Sequence, residues 1–316
     1  MSGTDGTAPV LVTGAGGAAG ISVIRALDGV RPTVAVDCDP LAAGLHLAVD
    51  ARVVPRADDP AFVEHLLKVA DRTGATTLVC TVAEELPALA AASADLDRAG
   101  LRHWLPTAGA VETCVDKWAF AGACVAAGVP APATGLGTAD GVPGPWIVKP
   151  RTGRGSRDVH AADDADGLAW ALARVPDALV QTRLTGTEFT VDTLVDRDGV
   201  LAGAVPRWRL VTKAGISTVG RTFDHPELVE DIATLLVAVG LTGPACVQGF
   251  VDDSGAFAFT EINPRFSGGL PLSLAAGADL VGEYVRGVDG LPVRRDRLVH
   301  RSGVTMLRHH SEVFTG

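Results

Sequence analysis

The sequence predicts an α/β protein in which a doubly wound parallel sheet is followed by an α+β unit of two lobes. Three observations lead there. Through residue 105, short apolar runs alternate with amphipathic stretches, the pattern of parallel strands joined by helices. A stretch rich in Pro and Gly, Gly128–Pro145, then marks a boundary. Beyond it, β-rich runs flank the turn signals Asp196–Gly199 and Asp252–Gly255, so that part is built largely of antiparallel hairpins.

Taken in order, Val10–Thr13, Thr33–Val36, Arg52–Val54, Thr77–Cys80 and Leu101–Trp104 read as strands of the first unit. Ala18–Leu27, Ala61–Arg72 and Glu84–Arg98 carry apolar residues at helical spacing and would each lay one face on the sheet. After Pro106 comes a helix around Asp116–Ala127. Pro145–Pro150 is a strand, Arg151–Arg157 a glycine-rich basic loop, Asp163–Ala173 a helix and Ala178–Gln181 a strand linking two lobes. Glu188–Val205 holds two β-runs, and Arg207–Phe223 shows no clean period and reads as an irregular loop. A helix over Pro226–Val239 precedes the hairpin Pro244–Val251 and Ala256–Asn263. The units are residues 1–105, 106–182 and 183–316.

Composition narrows the function. The 316 residues are 47% hydrophobic and 20% charged, as in a folded enzyme, and carry a net charge of −10, which repels nucleic acid and anionic lipid. Five cysteines, odd in number and without close metal-ligand spacing, fit reduced core thiols in a cytoplasmic protein. No signal peptide or membrane-length apolar run is visible, so no membrane partner is expected.

Three clusters can carry chemistry. Val10–Gly20 followed by Asp37 resembles a dinucleotide fingerprint, although a βαβ turn also needs glycines simply to pack. On the second hairpin, strand alternation puts Glu261 and Asn263 on one face, with Gln248 beside them if the loop has two or four residues. One carboxylate and two amide oxygens near Arg265 suit Mg²⁺ shared with substrate phosphates, and equally suit a solvated edge. Lysine is scarce. Of Lys68, Lys117, Lys149 and Lys213, Lys149 ends an apolar strand just before the basic loop, whose backbone N–H groups can cradle phosphates. Lys117 begins a helix beside Asp116, with which it can simply pair.

Together these residues resemble the ATP-grasp superfamily, in its carbamoyl-phosphate-synthase-like branch of stand-alone carboxylate–amine ligases. Asp116–Phe120 is similar to the first basic motif, Ile147–Pro150 to the second, Gly153–Ser156 to the mobile phosphate loop, Gly186–Asp192 to the ribose-binding segment, and Gln248 with Glu261–Arg265 to the metal motif. The resemblance implies a Rossmann-like pre-ATP-grasp sheet followed by a two-lobed ATP-grasp fold, with ATP and Mg²⁺ as cofactors and Mn²⁺ as a substitute metal. It implies that Lys117, Lys149, Gly153, Gly155, Ser156, Gln181, Leu184, Glu188 and Gln248 contact the nucleotide. Glu261, Asn263 and Gln248 would hold metal, and Arg265 with Lys149 would act on the transferred phosphoryl group. Glu84, Glu85, Gly16, Gly17, Arg207 and Arg209 are candidates for the substrate side.

The implied reaction joins a small-molecule carboxylate to an amine through an acyl phosphate, releasing ADP and phosphate, in a monomer or a homodimer. Two other readings stay open: an NAD(P)-dependent oxidoreductase using Gly14–Gly20, and a nucleotide-binding regulator without catalysis. Gln181 stands where the family usually has glutamate, and Gly215-Ile216 where relatives often have Gly-Glu.

Overall fold

The computed structural model describes residues 8–153 and 157–315. Its first layer is a parallel sheet in the order β3-β2-β1-β4, formed by β1 (Val10–Thr13), β2 (Thr33–Asp37), β3 (Asp50–Val53) and β4 (Thr77–Val79). α1 (Ala18–Leu27) and α2 (Phe62–Thr73) cover its faces. Val10 and Val12 face α1, whereas Leu11 faces Leu66 and Val69 of α2, as the two-residue period of a strand buried on both sides requires. Strands β2 and β3 are added on one side of β1, and β4 on the other, and this switch in strand order opens a crevice at the carboxyl ends of the parallel β1 and β4.

Two expectations in this unit need correction. Leu101–Trp104 is not a strand; Arg102 makes a single parallel bridge to Thr77. Glu84–Arg98 is not one helix but a 3₁₀ turn at Ala83–Glu85, α3 (Leu86–Ala91) and α4 (Ser93–Arg98). Pro87 supplies no N–H and therefore sits in the first turn of a new helix.

α5 (Ala108–Val115), which the periodicity did not reveal, and α6 (Lys117–Ala127) lead to the smaller lobe. There β5 (Thr134–Leu136), β6 (Trp146–Pro150), β7 (His160–Ala162) and β8 (Ala178–Thr182) form a sheet ordered β5-β8-β6-β7, backed by α7 (Ala165–Leu172). β5 falls inside the Pro/Gly-rich boundary stretch and adds an edge to β8.

The larger lobe is a sheet ordered β13-β12-β9-β10-β11-β14, comprising β9 (Thr187–Val195), β10 (Leu201–Lys213), β11 (Ile216–Thr222), β12 (Gly243–Val251), β13 (Phe257–Asn263) and β14 (Thr305–Leu307). α8 (Pro226–Val239) packs Leu228, Ile232 and Leu235 against Phe189, Val191 and Val247. Residues 207–223, expected as a loop, are a hairpin. Ala214 (φ 48°) and Gly215 (φ 75°) form its two-residue turn, and register shifts at Arg209–Thr212 explain why no clean alternation was legible.

α9 (Leu270–Ala275) and α10 (Leu280–Val288) return the chain to the first unit. Val281, Tyr284 and Val285 pack with Val23, Ile24 and Leu27 of α1 and with Trp104, so one core runs through both units. Among the described residues, no helix is long and apolar enough to cross a membrane.

Candidate active site

The smaller lobe contributes lysines. Along β6, Val148 points into the core with Val180, and alternation sends Lys149 to the other face. Lys149 pairs in register with Leu179 and Ile147 with Gln181, so these four share that face. Gln181 is buried and donates to Thr134 Oγ1 (2.8 Å). The half-buried Leu184 follows β8 in the connection to the larger lobe.

Part of the Lys149 side chain stays open to the cleft, yet dense surroundings desolvate its ammonium. Desolvation lowers its pKa from 10.5 to about 8, with Lys117 adding to the drop and Glu261 opposing it. Lys117 is also lowered by desolvation, against the pull of Glu261 and Asp116. Both lysines therefore lie within electrostatic reach of Glu261, which belongs to the other lobe.

Asp116 caps α6, accepting from Trp118 N (2.9 Å) and Ala119 N (3.4 Å). Its carboxylate receives Arg151 Nε at 2.8 Å, and that hydrogen bond is the main reason its pKa falls. Lys117 therefore does not pair with Asp116; its Nζ donates to Gly153 O (2.8 Å), tying the helix start to the glycine loop. Gly155 and Ser156 lie outside the described residues.

The larger lobe contributes acids and amides from four neighbouring strands. Arg209 of β10 donates through Nη1 to Gln248 Oε1 of β12 (3.0 Å), and its Nε lies 3.2 Å from Glu188 Oε2 of β9 without hydrogen-bond alignment. Glu188 is raised by desolvation; Arg209 opposes this and Glu261 adds to it. On β13, Glu261 Oε1 accepts from Asn263 Nδ2 (2.9 Å), and Asn263 Oδ1 accepts from Arg265 Nη2 (3.3 Å).

Gln248 and Glu261 are register partners, and this depends on a bulge. Near the turn, Gly249 pairs with Phe259 and Val251 with Phe257, a register that would set Gln248 opposite Thr260. Skipping Thr260 shifts the pairing by one and brings Gln248 face to face with Glu261.

The donor set fits Mg²⁺. Glu261, Gln248 and Asn263 offer hard oxygens on one face and leave coordination positions for phosphates and water, with no thiol or imidazole in the set. Among the described residues, no three His, Cys, Asp or Glu side chains converge on a metal. Asn263 would turn its amide oxygen from Arg265 toward such an ion.

Two groups of candidates are corrected. Arg207 is buried in an ion pair with Asp192 (2.9 and 3.1 Å) and also donates to Ser267 Oγ (2.9 Å), while Ser273 Oγ donates to Asp192 (2.6 Å). Gly269 lies so close that a Cβ there would sit 2.3 Å from the guanidinium. Arg207 is thus a buried brace and not an exposed clamp.

Gly16 and Gly17 do not offer free amides to a ligand. Gly16 N donates to Asp37 Oδ2 (2.7 Å), Gly17 N to Gly14 O (3.0 Å) and Ala15 N to Val36 O (3.2 Å). The same contacts occupy Asp37, the acid a dinucleotide ribose would need. The glycines serve packing: a Cβ on Gly20 would meet Gly14 O at 2.2 Å.

Glu84 is exposed, and Glu85 is buried at the crevice between β1 and β4. Glu85 Oε2 accepts from Thr13 Oγ1 and Cys80 Sγ, and desolvation outweighs these bonds to raise its pKa to about 7. The bracing contacts of Asp192, Arg151 and Thr13 were not read from the sequence, although Gly186–Asp192 and Arg151–Arg157 had been singled out as segments. A charged Asp192 inside the apolar run of β9 was the available signal.

Comparison with known proteins accords with this geometry. Residues 174–311 match the family model described as ATP-grasp in the biosynthetic pathway with Ter operon, and residues 10–103 match the PylC-like N-terminal domain. No curated protein matches by sequence.

Solved structures similar in fold include pyruvate carboxylase of Rhizobium etli, at 20% identity and TM-score 0.75, covering 94% of this chain and 30% of that one. The biotin carboxylase domain of Hydrogenobacter thermophilus 2-oxoglutarate carboxylase, in complex with MgADP, ADP and bicarbonate, gives 18%, 0.75, 94% and 73%. L-amino acid ligase of Bacillus licheniformis gives 15%, 0.69, 90% and 75%. The chain thus spans under a third of the pyruvate carboxylase and about three quarters of the other two.

Proposed function

We propose that this chain, whose residues 174–311 match an ATP-grasp family model and residues 10–103 the PylC-like N-terminal domain, is a Mg-ATP-dependent carboxylate–amine ligase of the ATP-grasp type acting on small molecules in the cytoplasm. The observation that carries this reading is that Lys117 and Lys149 of one lobe lie within electrostatic reach of Glu261 of the other, whose register partner is Gln248 and whose charge also acts on Glu188. Cations facing hard oxygen donors across a cleft are what phosphoryl transfer requires, because that reaction needs positioning and charge neutralisation more than a protein nucleophile.

In this reading Lys149 and Lys117 hold the phosphates, Gly153 and its loop cover them, and Gln181, Leu184 and Glu188 contact the nucleoside. Glu261, Asn263 and Gln248 hold Mg²⁺, with Mn²⁺ as a substitute. Held by these residues, such an ion would supply charge neutralisation to the nucleotide phosphates. A substrate carboxylate oxygen attacks the γ-phosphorus, the bond to the ADP oxygen breaks, and an acyl phosphate forms beside Arg265. The amine then attacks the acyl carbon, phosphate leaves with the oxygen it took from the carboxylate, and the amine's proton passes to solvent. Glu85, at the crevice, holds a substrate ammonium group through Oε1, which makes no hydrogen bond among the described residues. Arg209 links this face to Gln248 and Glu188.

Incubation with Mg-ATP and a panel of amino acids tests the reaction. ADP and phosphate should appear only with the true substrates, and hydroxylamine should trap a hydroxamate. AMP and pyrophosphate would overturn the acyl-phosphate route; binding without any turnover across substrates would favour the regulator. A thermal shift with nicotinamide nucleotides and none with adenine nucleotides would restore the oxidoreductase.

A further inference from the structure

A cavity of about 260 Å³ lies where the first unit meets the larger lobe, lined by Arg102, His103, Trp104, Arg197 and Asp97. It is remote from the phosphate cluster. Glu188 and Val195 stand seven residues apart on β9, about 23 Å at strand spacing, and Arg197 lies beyond Val195. On the other wall, Arg102 bridges to Thr77, the first residue of β4, so the cavity sits at the amino end of that strand. Glu85 and its crevice follow the opposite end.

The walls carry donors without acceptors. Trp104 is buried, stacked on Tyr284 (5.7 Å between centroids) with the Arg197 guanidinium 4.9 Å over its ring, yet its Nε1 has no hydrogen-bond partner. Buried indole N–H groups normally find one. Arg197 donates through Nε to Gly287 O (3.2 Å) and through Nη2 to His103 O (3.1 Å), bonds that fix the fork and leave Nη1 over. Arg102 Nη2 lies 2.9 Å from Asp289 Oδ1, an atom left without an aligned hydrogen bond; among the described residues Arg102 Nε and Nη1 make none. Arg197 and Arg102 line the cavity with one wall carboxylate, Asp97, which lies 3.5 Å from His103 Nε2, in a chain of net charge −10.

We propose that this cavity is a second binding site, for a small oxyanion bearing a phosphate or carboxylate group. Its oxygens accept from Arg197 and Arg102, in charge-assisted bonds that an arginine fork makes well. Because Arg102 and Trp104 belong to the first unit and Arg197 to the β9–β10 turn, a bound anion ties the two units together on the side away from the substrate crevice.

The test is a titration with inorganic phosphate, and separately with malonate, of protein whose nucleotide site is held full by MgADP, read by melting temperature and tryptophan fluorescence. At least one of the anions should give a saturable shift in the millimolar range, and which one does identifies the group recognised. Arg197→Gln, a change at an exposed side chain, should abolish it. Lys149→Met should leave it intact. Absence of a saturable shift with both anions, or a shift that survives Arg197→Gln and is lost in Lys149→Met, would overturn the proposal.

Discussion

Replacing Lys149 by Met should make the protein more stable and inactive. The folded state lowers the lysine pKa from 10.5 to about 8 through desolvation, a difference equivalent to about 3 kcal/mol. A base whose folded pKa is depressed binds fewer protons folded than unfolded between those two values. The penalty is therefore complete below pH 8 and disappears as pH rises through 10.5. Water in the cleft screens part of it, so the expected gain for Lys149→Met at pH 7 is about 2 kcal/mol. Urea unfolding of both proteins at pH 7.0 and 9.5 measures it, and the gap should shrink by about half at the higher pH. MgADP should erase the difference in the other direction, because phosphates stabilise the charged ammonium of the native protein alone; near pH 8 its binding should take up protons, which calorimetry in two buffers detects. A Met variant that is less stable at pH 7, or a gap indifferent to pH, would refute the view of Lys149 as a desolvated cation awaiting phosphate.

Glu261→Gln keeps the shape of the hairpin face and removes its charge; the protein should fold normally while ADP formation falls about 10²–10³-fold, and undiminished turnover at saturating Mg-ATP would relocate the site. Arg207→Met should destabilise by about 3–5 kcal/mol, since it strands Asp192 in the interior, and a stable variant with only a raised KM would reinstate Arg207 as a substrate clamp. For Glu85, whose pKa rises from 4.5 to about 7, the folded state holds more protons in that window, so stability falls as pH rises through it. Glu85→Gln should accordingly gain up to about 3 kcal/mol at pH 8 and nothing near pH 4, with substrate affinity reduced; a melting-temperature series against pH decides.

The amino-acid order by itself determined the layers and most of their elements. α1 and α8 run over Ala18–Leu27 and Pro226–Val239 as the apolar spacing indicates, and Asp116 before Lys117 announces a helix start that the side chain then caps. These features depend on neighbours within a few residues, and local patterns report local physics. The pairing of Glu261 with Asn263 was legible for the same reason.

Other features were decided only by the tertiary structure. Gln248 meets Glu261 because one residue, Thr260, is skipped in the pairing, and a bulge has no signature in alternation beyond its disturbance. Residues 207–223 hid a hairpin behind such disturbances. Arg207 looked like Arg209 in sequence, but one is locked to Asp192 across 15 positions and the other reaches Gln248 at the cleft. Gly16 and Gly17 kept the appearance of an anion loop while their amides turned to Asp37 and Gly14. The displaced pKa values of Lys149 and Glu85 arise from desolvation by burial. Charge, burial and partner choice depend on which distant atoms exclude water from a group, and that is fixed only when the lobes close on one another.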